Sequence, residues 1–426
     1  MPLNKIRHHW AVASALAVSA TSQIINSGIN FLVLIYLVRV LAPDDFGIFN
    51  IAFVVAITIS GIATSLFVVP MTVALSKFEE YERIGFMARM IFILLYVCTL
   101  VVTALISISI GAVSIGILST DLVLITIATL FLAGTILQKE AVIQVCFNSH
   151  QEVHGLYINL ISAATLLSAY LICEKINIEI NAPIAITILA LSQLFGLVHG
   201  LSRLITPFRE AADKNWKLVA TDIIVSGRWS ALAMALFFLR TQSHTFIAGI
   251  MLGPAVVGAI NAARIVFSPI QLVTPTIMRA AMPRLAMSRR TSPDRLFARC
   301  IKVASALFAL TIAYSMFAYI FREYLFNWLV GDQYKINDYL MLAWASYMVV
   351  VSLRVGMELY PQVLGRFNIL VPNNLASAIL TIVFVWWFTE SMGAAGSVIG
   401  LLLGETFAAI IIAVVISSKR RKWGET

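Results

Sequence analysis

Leu41-Ala-Pro43-Asp-Asp-Phe-Gly47-Ile-Phe-Asn50-Ile-Ala52 and Leu252-Gly-Pro254-Ala-Val-Val-Gly258-Ala-Ile-Asn261-Ala-Ala263 are two versions of one pattern, set 211 residues apart in a chain of 426. Leu, Pro, Gly, Asn and Ala recur in the same order. A second pair, Asn159-Leu-Ile-Ser-Ala163 and Asn374-Leu-Ala-Ser-Ala378, follows at an offset of 215. Weaker echoes join Pro70 to Pro283 and Gln193-Leu-Phe195 to Glu405-Thr-Phe407. A single match this short arises by chance, and two similar turns punctuated by Pro and Gly would share some of it. Several matches in one order at nearly one offset point to a duplication, with halves at 1–217 and 218–426.

Each copy of the first pattern sits where one long apolar run ends and the next begins. Hydrophobic residues make up 60% of the chain and charged residues 12%, against about 25% charged in a typical soluble domain. A surface that apolar needs lipid as its solvent. The backbone must then satisfy its own hydrogen bonds, which leaves helices or a closed barrel. The apolar runs are about twenty residues long, so helices are expected. The fold class read from this is an all-α polytopic membrane protein. About twelve transmembrane helices are placed at 11–38, 48–69, 90–117, 122–146, 155–173, 182–202, 226–248, 253–278, 303–321, 339–361, 369–389 and 394–417. The first of these reads as an uncleaved span, its apolar run being too long for a signal-peptide core. Connections are short, with no room for a folded soluble domain. Six helices separate the repeated turns, an even number, so the halves share one orientation. Such parallel repeats are a way transporters enclose a central cavity.

Orientation follows from the cations. Of 30 Lys and Arg, 22 fall in one set of connections and the termini, and only Arg39, Lys175, Arg322 and Lys335 fall in the other. The asymmetry predicts that the rich side, with both termini, is cytoplasmic. The net charge of +9 is thus mostly a topology signal and needs no nucleic-acid partner. The basic loop at 279–302 is expected to face anionic lipid headgroups. Cys98, Cys146, Cys173 and Cys300 stand singly, without metal-ligand spacing, and read as packed thiols. No metal or cofactor is expected.

Topology leaves seven charges inside the spans: Lys139, Arg240, Arg264 and Arg354, with Glu140, Glu358 and Glu405. Buried charge is costly in a bilayer, so such groups face a cavity or one another. Lys139 and Arg354 are 215 residues apart, so one cation occupies matching places in the fourth and tenth spans. Each lies some eight residues, roughly 12 Å, from the cytoplasmic end of its span.

Polar stripes accompany these charges. The first span carries Gln23, Asn26 and Asn30, the fourth Glu140, Gln144 and Asn148, and the seventh Arg240 and His244. The eighth carries Asn261, Arg264, Ser268 and Gln271, and the tenth Arg354, Glu358 and Gln362. Each stripe has two readings, as cavity lining or as interhelical hydrogen bonds. Arg354 and Glu358 form a possible i,i+4 ion pair, and Glu140 a possible counter-ion for a neighbouring span. Glu358, Glu140 and Glu405 are candidates for coupling or gating. Glu405 stands out, mid-span behind Gly404 with no sequence-local partner. Cations outnumber carboxylates, and Arg suits phosphate through its planar fork, so an anionic, phosphate-bearing substrate fits the cavity reading. Arg39 and Asp44-Asp45 flank the first turn and read as structural. Trp328 and Trp386-Trp387 read as interfacial anchors.

The turn Arg39-Val-Leu-Ala-Pro43-Asp-Asp-Phe46-Gly47-Ile-Phe49-Asn-Ile-Ala52 resembles the first-loop signature of polysaccharide-exporting flippases. The segment Ile250-Met-Leu-Gly253-Pro-Ala-Val-Val257-Gly258-Ala-Ile-Asn261-Ala-Ala263, leading to Pro283-Arg-Leu285, is similar to theirs as well. These are the Wzx-type and PST-type members of the MOP (MATE-like) superfamily, and the resemblance covers essentially the whole chain. It implies two six-helix bundles with alternating access around a cationic cavity, in a bacterial inner membrane. It also implies a polyprenyl-pyrophosphate-linked oligosaccharide as substrate, an O-antigen, capsule or exopolysaccharide unit. Lys139, Arg240, Arg264 and Arg354 are the positions to which a substrate-binding role carries over, with Gln23, Asn26, Asn30 and Asn261 as polar lining. Implied partners are that substrate, membrane lipids and the polysaccharide polymerase and export machinery. Lipid II flippases of the superfamily typically have two further C-terminal spans, and MATE drug exporters tend to carry an acid in the first span. This chain has neither feature. A MATE-like drug or metabolite exporter is the alternative. A membrane polymerase or ligase is a more distant one, because the largest outside loop, near 322–338, offers Arg322, Glu323, Asp332 and Asp338 but no His. With no GKS or GKT sequence anywhere, the chain has no P-loop for ATP.

Overall fold

A computed structural model describes residues 2–74, 80–114, 119–149, 151–210, 216–291, 293–366 and 369–424. Its regular elements are helices: α1 (Pro2–Val40), α2 (Pro43–Ala63), a π-helical turn (Thr64–Val68), α3 (Val69–Ala74), α4 (Glu80–Ser114), α5 (Thr120–Asn148) and α6 (Glu152–Lys175). After these come α7 (Ala182–Glu210), α8 (Trp216–Leu252), α9 (Pro254–Thr291), α10 (Pro293–Ile320), α11 (Arg322–Leu329), α12 (Asp338–Val363) and α13 (Leu370–Gly424). The ends follow local chemistry. Pro43, Pro254 and Pro293 open helices at the position where a missing N–H is harmless. The Ser119 and Asn337 side chains accept from Leu122 N and Leu340 N, the usual N-cap bond. The π turn precedes Pro70, which cannot donate to the Leu66 carbonyl, and Gly227 of α8 lies against that same carbonyl.

Among the described residues, nine helical stretches are long and apolar enough to cross a membrane. One of them, Leu370–Ser418, turns back on itself at Gly393, where φ is 61°, and so contains two of the expected spans. The turn takes one glycine and no loop. Two further expected spans lie in α1, which contributes the apolar stretch Ile24–Val40, and in α8, whose apolar run is interrupted by Arg240, Gln242, Ser243 and His244. The exterior is apolar: α4 alone exposes Tyr96, Leu100, Val101, Leu105 and Ile108. This is an all-α polytopic membrane protein.

Two local expectations change. The basic segment 279–302 is not a loop: α9 runs on to Thr291 and α10 begins at Pro293, because Ala, Met, Leu and Arg there are strong helix formers. The segment 322–338 holds the short helix α11 before its turn at Gly331 (φ 82°).

The chain forms two compact units, one of Met1–Val33 with Ala52–Ala235, the other of Leu34–Ile51 with Leu236–Thr426. The tip of the first hairpin therefore belongs with the second unit. The first unit is built on Met71, Met87, Ile91, Val142, Ile158 and Leu197. The second has a cluster of Leu285, Leu296, Cys300, Leu359, Tyr360 and Val363. Its helices approach closely where a side chain is missing: Gly356 against Ala304, Gly400 against Val385 and Gly404 against Thr381. Small residues allow such approach in lipid, where contact rather than water exclusion drives association.

Candidate functional site

In the second unit, α12 presents Arg354 and Glu358 one turn apart, with Nη1 to Oε1 at 2.6 Å. Arg354 Nε also donates to Glu405 Oε2 at 2.5 Å, from the second limb of α13. The other Glu405 oxygen lies 3.2 Å from Nε of Arg240 on α8. Arg240 Nη1 in turn donates to Asn374 Oδ1, on the first limb of α13, at 2.7 Å. Glu405 is fully enclosed and Arg240 is 1% exposed. One carboxylate thus joins two arginines from two helices, and a second carboxylate completes the neutralisation. Removing one partner from such a buried set leaves an uncompensated charge, at about 3–5 kcal/mol.

Arg264 on α9 is held differently. Its Nη2 donates to Gln271 Oε1 at 3.0 Å, and its guanidinium lies 5.8 Å from the Trp344 ring centre. Trp344 is fixed by its own bond to the Ile260 carbonyl, 3.1 Å, and receives the edges of His244 and Tyr347 at 5.6 and 5.4 Å. Among the described residues no carboxylate pairs with Arg264. Arg264, Arg354, Glu405, Trp344, Tyr347 and Thr241 are among the residues lining a cavity of about 280 Å³. The cavity thus combines a cation lacking a counter-ion, aromatic walls and hydroxyl or amide groups.

In the first unit, Lys139 Nζ on α5 donates to Asn159 Oδ1 at 3.1 Å and Asn26 Oδ1 at 3.4 Å. Asn159 Nδ2 donates to Ser22 Oγ at 2.9 Å. Every acceptor around this ammonium is neutral, and Lys139 is only 2% exposed. Glu140, the next residue, is exposed and is not among the groups to which Lys139 donates.

The matched pairs Lys139/Arg354 and Asn159/Asn374 therefore lie in corresponding clusters. The same comparison adds two pairs that sequence inspection had not connected to them. Asn26 corresponds to Arg240 at an offset of 214, and buried Gln193 on α7 to Glu405 at 212. The signal was available: the Gln193/Glu405 echo and the nearly constant offset were both in the sequence. Other stripe residues take local partners. Asn261 Nδ2 bonds back to the Val257 carbonyl at 3.0 Å, as its repeat mate Asn50 does to Phe46 at 2.6 Å. Gln144 reaches Asn148, which reaches Thr72. Asn30 is exposed, and the Gln23 side chain lies outside the described residues. All four cysteines are free thiols. No group of side chains suited to a metal occurs among the described residues.

The helices form a MATE-like fold with two repeats. An inward-facing MATE multidrug-resistance transporter of that superfamily is similar at 12% identity and a TM-score of 0.72, over 96% of this chain and 99% of that one. An outward-facing MATE transporter is similar at 13% identity and 0.66, over 97% and 96%. A MOP transporter from Pyrococcus furiosus, described as having a binding pocket of reverse polarity, is similar at 12% identity and 0.64, over 97% and 96%. No curated protein matches the chain. A family described as "Polysaccharide biosynthesis protein" matches residues 12–289, and the chain belongs to that family. Its fold is that of the MOP-superfamily transporters to which it is similar.

Proposed function

We propose that this protein is a flippase that carries a polyprenyl-pyrophosphate-linked oligosaccharide, an O-antigen, capsule or exopolysaccharide unit, across the bacterial inner membrane by alternating access. Both termini are cytoplasmic in this reading. The halves 1–217 and 218–426 act as its two repeats, and polysaccharide polymerase and export machinery receive its product. The observation that carries the reading is Arg264, an intramembrane cation with no carboxylate partner among the described residues, on the wall of an aromatic- and hydroxyl-lined cavity. A planar guanidinium free of a counter-ion suits a phosphate oxygen pair, and aromatic faces suit sugar. Family membership in polysaccharide biosynthesis points the same way. Arg240 and Arg354 are paired with Glu405 and Glu358, with Arg354 and Glu405 also on the cavity wall, and Lys139 is held by neutral amides in the first unit. A MATE-like drug exporter is the second reading, favoured by the structural likenesses. A free cation disfavours the cationic drugs such a site would need to accept.

The test is deletion of the gene followed by labelling of polyprenyl-linked sugars in spheroplasts. Intermediates trapped on the inner leaflet are expected; normal export with altered drug tolerance would overturn the proposal. In complementation, Arg264→Ala is expected to lower export at least tenfold and Arg264→Lys to restore part of it. Full export by the alanine variant removes Arg264 from the site.

A further inference from the structure

A groove of about 300 Å³ lies over α12 in the second unit, between α10 and the second limb of α13. On α10 its lining runs from Phe297 to Phe308, and on α12 from Leu353 to Tyr360. Gly356 lies in that lining without a side chain, and a methyl built there would lie 2.7 Å from Ala304 Cβ. Ala413, Ile416 and Ser417 form the wall on α13, where the Ser417 hydroxyl is spent on the Ala413 carbonyl at 2.8 Å. Phe297 and Tyr360, packed edge-on at 5.0 Å, stand at the end nearest the start of α10.

The groove opens outward. Ile301 on its rim is 47% exposed, and Ser305 and Ser417 are exposed as well. From Phe297 to Phe308 the helix rises about 16 Å, half of a hydrocarbon core of about 30 Å. The groove is therefore one leaflet deep. Cations gather at its Phe297 end. Arg295, Arg299 and Lys302 of α10 are exposed, and Lys302 directly follows Ile301 on the rim. Past Ser417, α13 runs on to Gly424 through Ser418-Lys-Arg-Arg-Lys422. The helical register that places 413, 416 and 417 in the groove continues to positions 420 and 421, both arginine. The acids of these two stretches are Asp294 and Glu425.

We propose that this groove binds an anionic phospholipid from the leaflet at the basic end of α10 and α13: one acyl chain lies in the groove, and the phosphate meets Lys302 and the cationic end of α13. The chain gains contact from three helices, which a flat helix surface does not offer. Lysine on an apolar rim lays its stem along that surface and carries its ammonium to the headgroup level. Basic pockets between membrane helices suit anionic headgroups in this way. Cations alone would attract headgroups without choosing a place, and a groove alone would not choose a headgroup; here the two coincide. The Arg264 cavity uses the other face of α12, with Met348, Val351, Ser352, Arg354 and Val355. The lipid site is thus separate from it and stands whatever the cargo is.

The test labels the full chain in nanodiscs with phosphatidylglycerol or phosphatidylcholine carrying a photoreactive group on one acyl chain, and maps the crosslinked peptides. Phosphatidylglycerol is expected to label 297–308 and 413–417 at least threefold more than phosphatidylcholine does. Lys302→Gln combined with glutamine at 419–422 is expected to remove that preference. Ser305→Phe with Ala413→Phe fills the groove and is expected to lower labelling by both lipids. Equal labelling of the unaltered protein by the two lipids overturns the proposal, as does a preference that survives the glutamine variant. Labelling unchanged by the phenylalanines removes the groove as the site. A polyprenyl phosphate that displaces the label at lower concentration than phosphatidylglycerol would make a prenyl chain the occupant and overturn the phospholipid. If the phenylalanine variant does not fold, the glutamine variant, altered only near the basic end, decides.

Discussion

Lys139 and Arg354 occupy matching positions in the two repeats, yet their surroundings obey opposite electrostatics. In the first unit the cation is answered by amide oxygens from Asn26 and Asn159. In the second it is answered by two carboxylates, one of which also reaches Arg240. The positions are the same and the charges are not: Asn26, Lys139, Asn159 and Gln193 in one repeat, Arg240, Arg354, Asn374 and Glu405 in the other. A duplicated scaffold has kept its buried polar core in both halves and placed compensating ions in one. The consequence is mechanical. Glu405 ties α8, α12 and the second limb of α13 with charges that are costly to separate, whereas the bonds around Lys139 are interhelical hydrogen bonds of about 0.6 kcal/mol each on average.

The largest expected effect comes from breaking the ionic cluster at its centre. Glu405→Gln leaves Arg240 without a carboxylate and should lower stability in detergent by about 3–5 kcal/mol, read as a drop in the thermal unfolding midpoint. Adding Arg240→Asn rebuilds the first repeat's residues at those two positions and should recover at least half of the loss. A double variant no better than the single would show that the clusters are not equivalent. Next in size is the contrast between the two matched cations. Arg354→Met strands Glu358 and leaves Glu405 with Arg240 alone, and is expected to cost about 3–5 kcal/mol, but Lys139→Met strands only neutral amides and about 1 kcal/mol is expected. Equal losses would refute the difference between the clusters. The smallest effect belongs to Glu140→Gln. That side chain is exposed and makes no ion pair among the described residues, so unfolding should move by no more than about 0.5 kcal/mol; a larger loss would reveal a partner for it.

Much of this was legible along the chain. Apolar runs placed the helices, and the Lys139/Arg354 offset located the clusters, because duplication preserves register. The Arg354–Glu358 pair was visible as well, since i,i+4 neighbours share a helix face. The partner of Glu405 was not. It sits 51 residues from Arg354 in sequence, and which residue of one helix meets which of another depends on rotation and crossing, not on spacing within either helix. Asn261 shows the reverse error of pattern reading. It belongs to a polar face, but its amide is spent on a backbone carbonyl one turn earlier, which no stripe reveals. The turn at Gly393 was expected between two spans, but that one left-handed residue suffices for it became evident only from the backbone.

By itself the sequence determined a helical membrane protein built from two related halves, the approximate places of its spans, and the few charges left among them. Those follow from local physics: lipid demands long apolar helices, and charge in lipid demands a reason. Tertiary structure alone decided which cations meet carboxylates, pairing Arg240 and Arg354 with Glu405 while, among the described residues, Lys139 and Arg264 are held by neutral groups, Arg264 on the cavity wall. It also decided that the two repeated turns meet each other, so that a methyl group built on Gly47 would overlap the Pro254 carbonyl. Pairing of charges and close approach of backbones are properties of how helices lie side by side, and a linear order of residues carries no such distance.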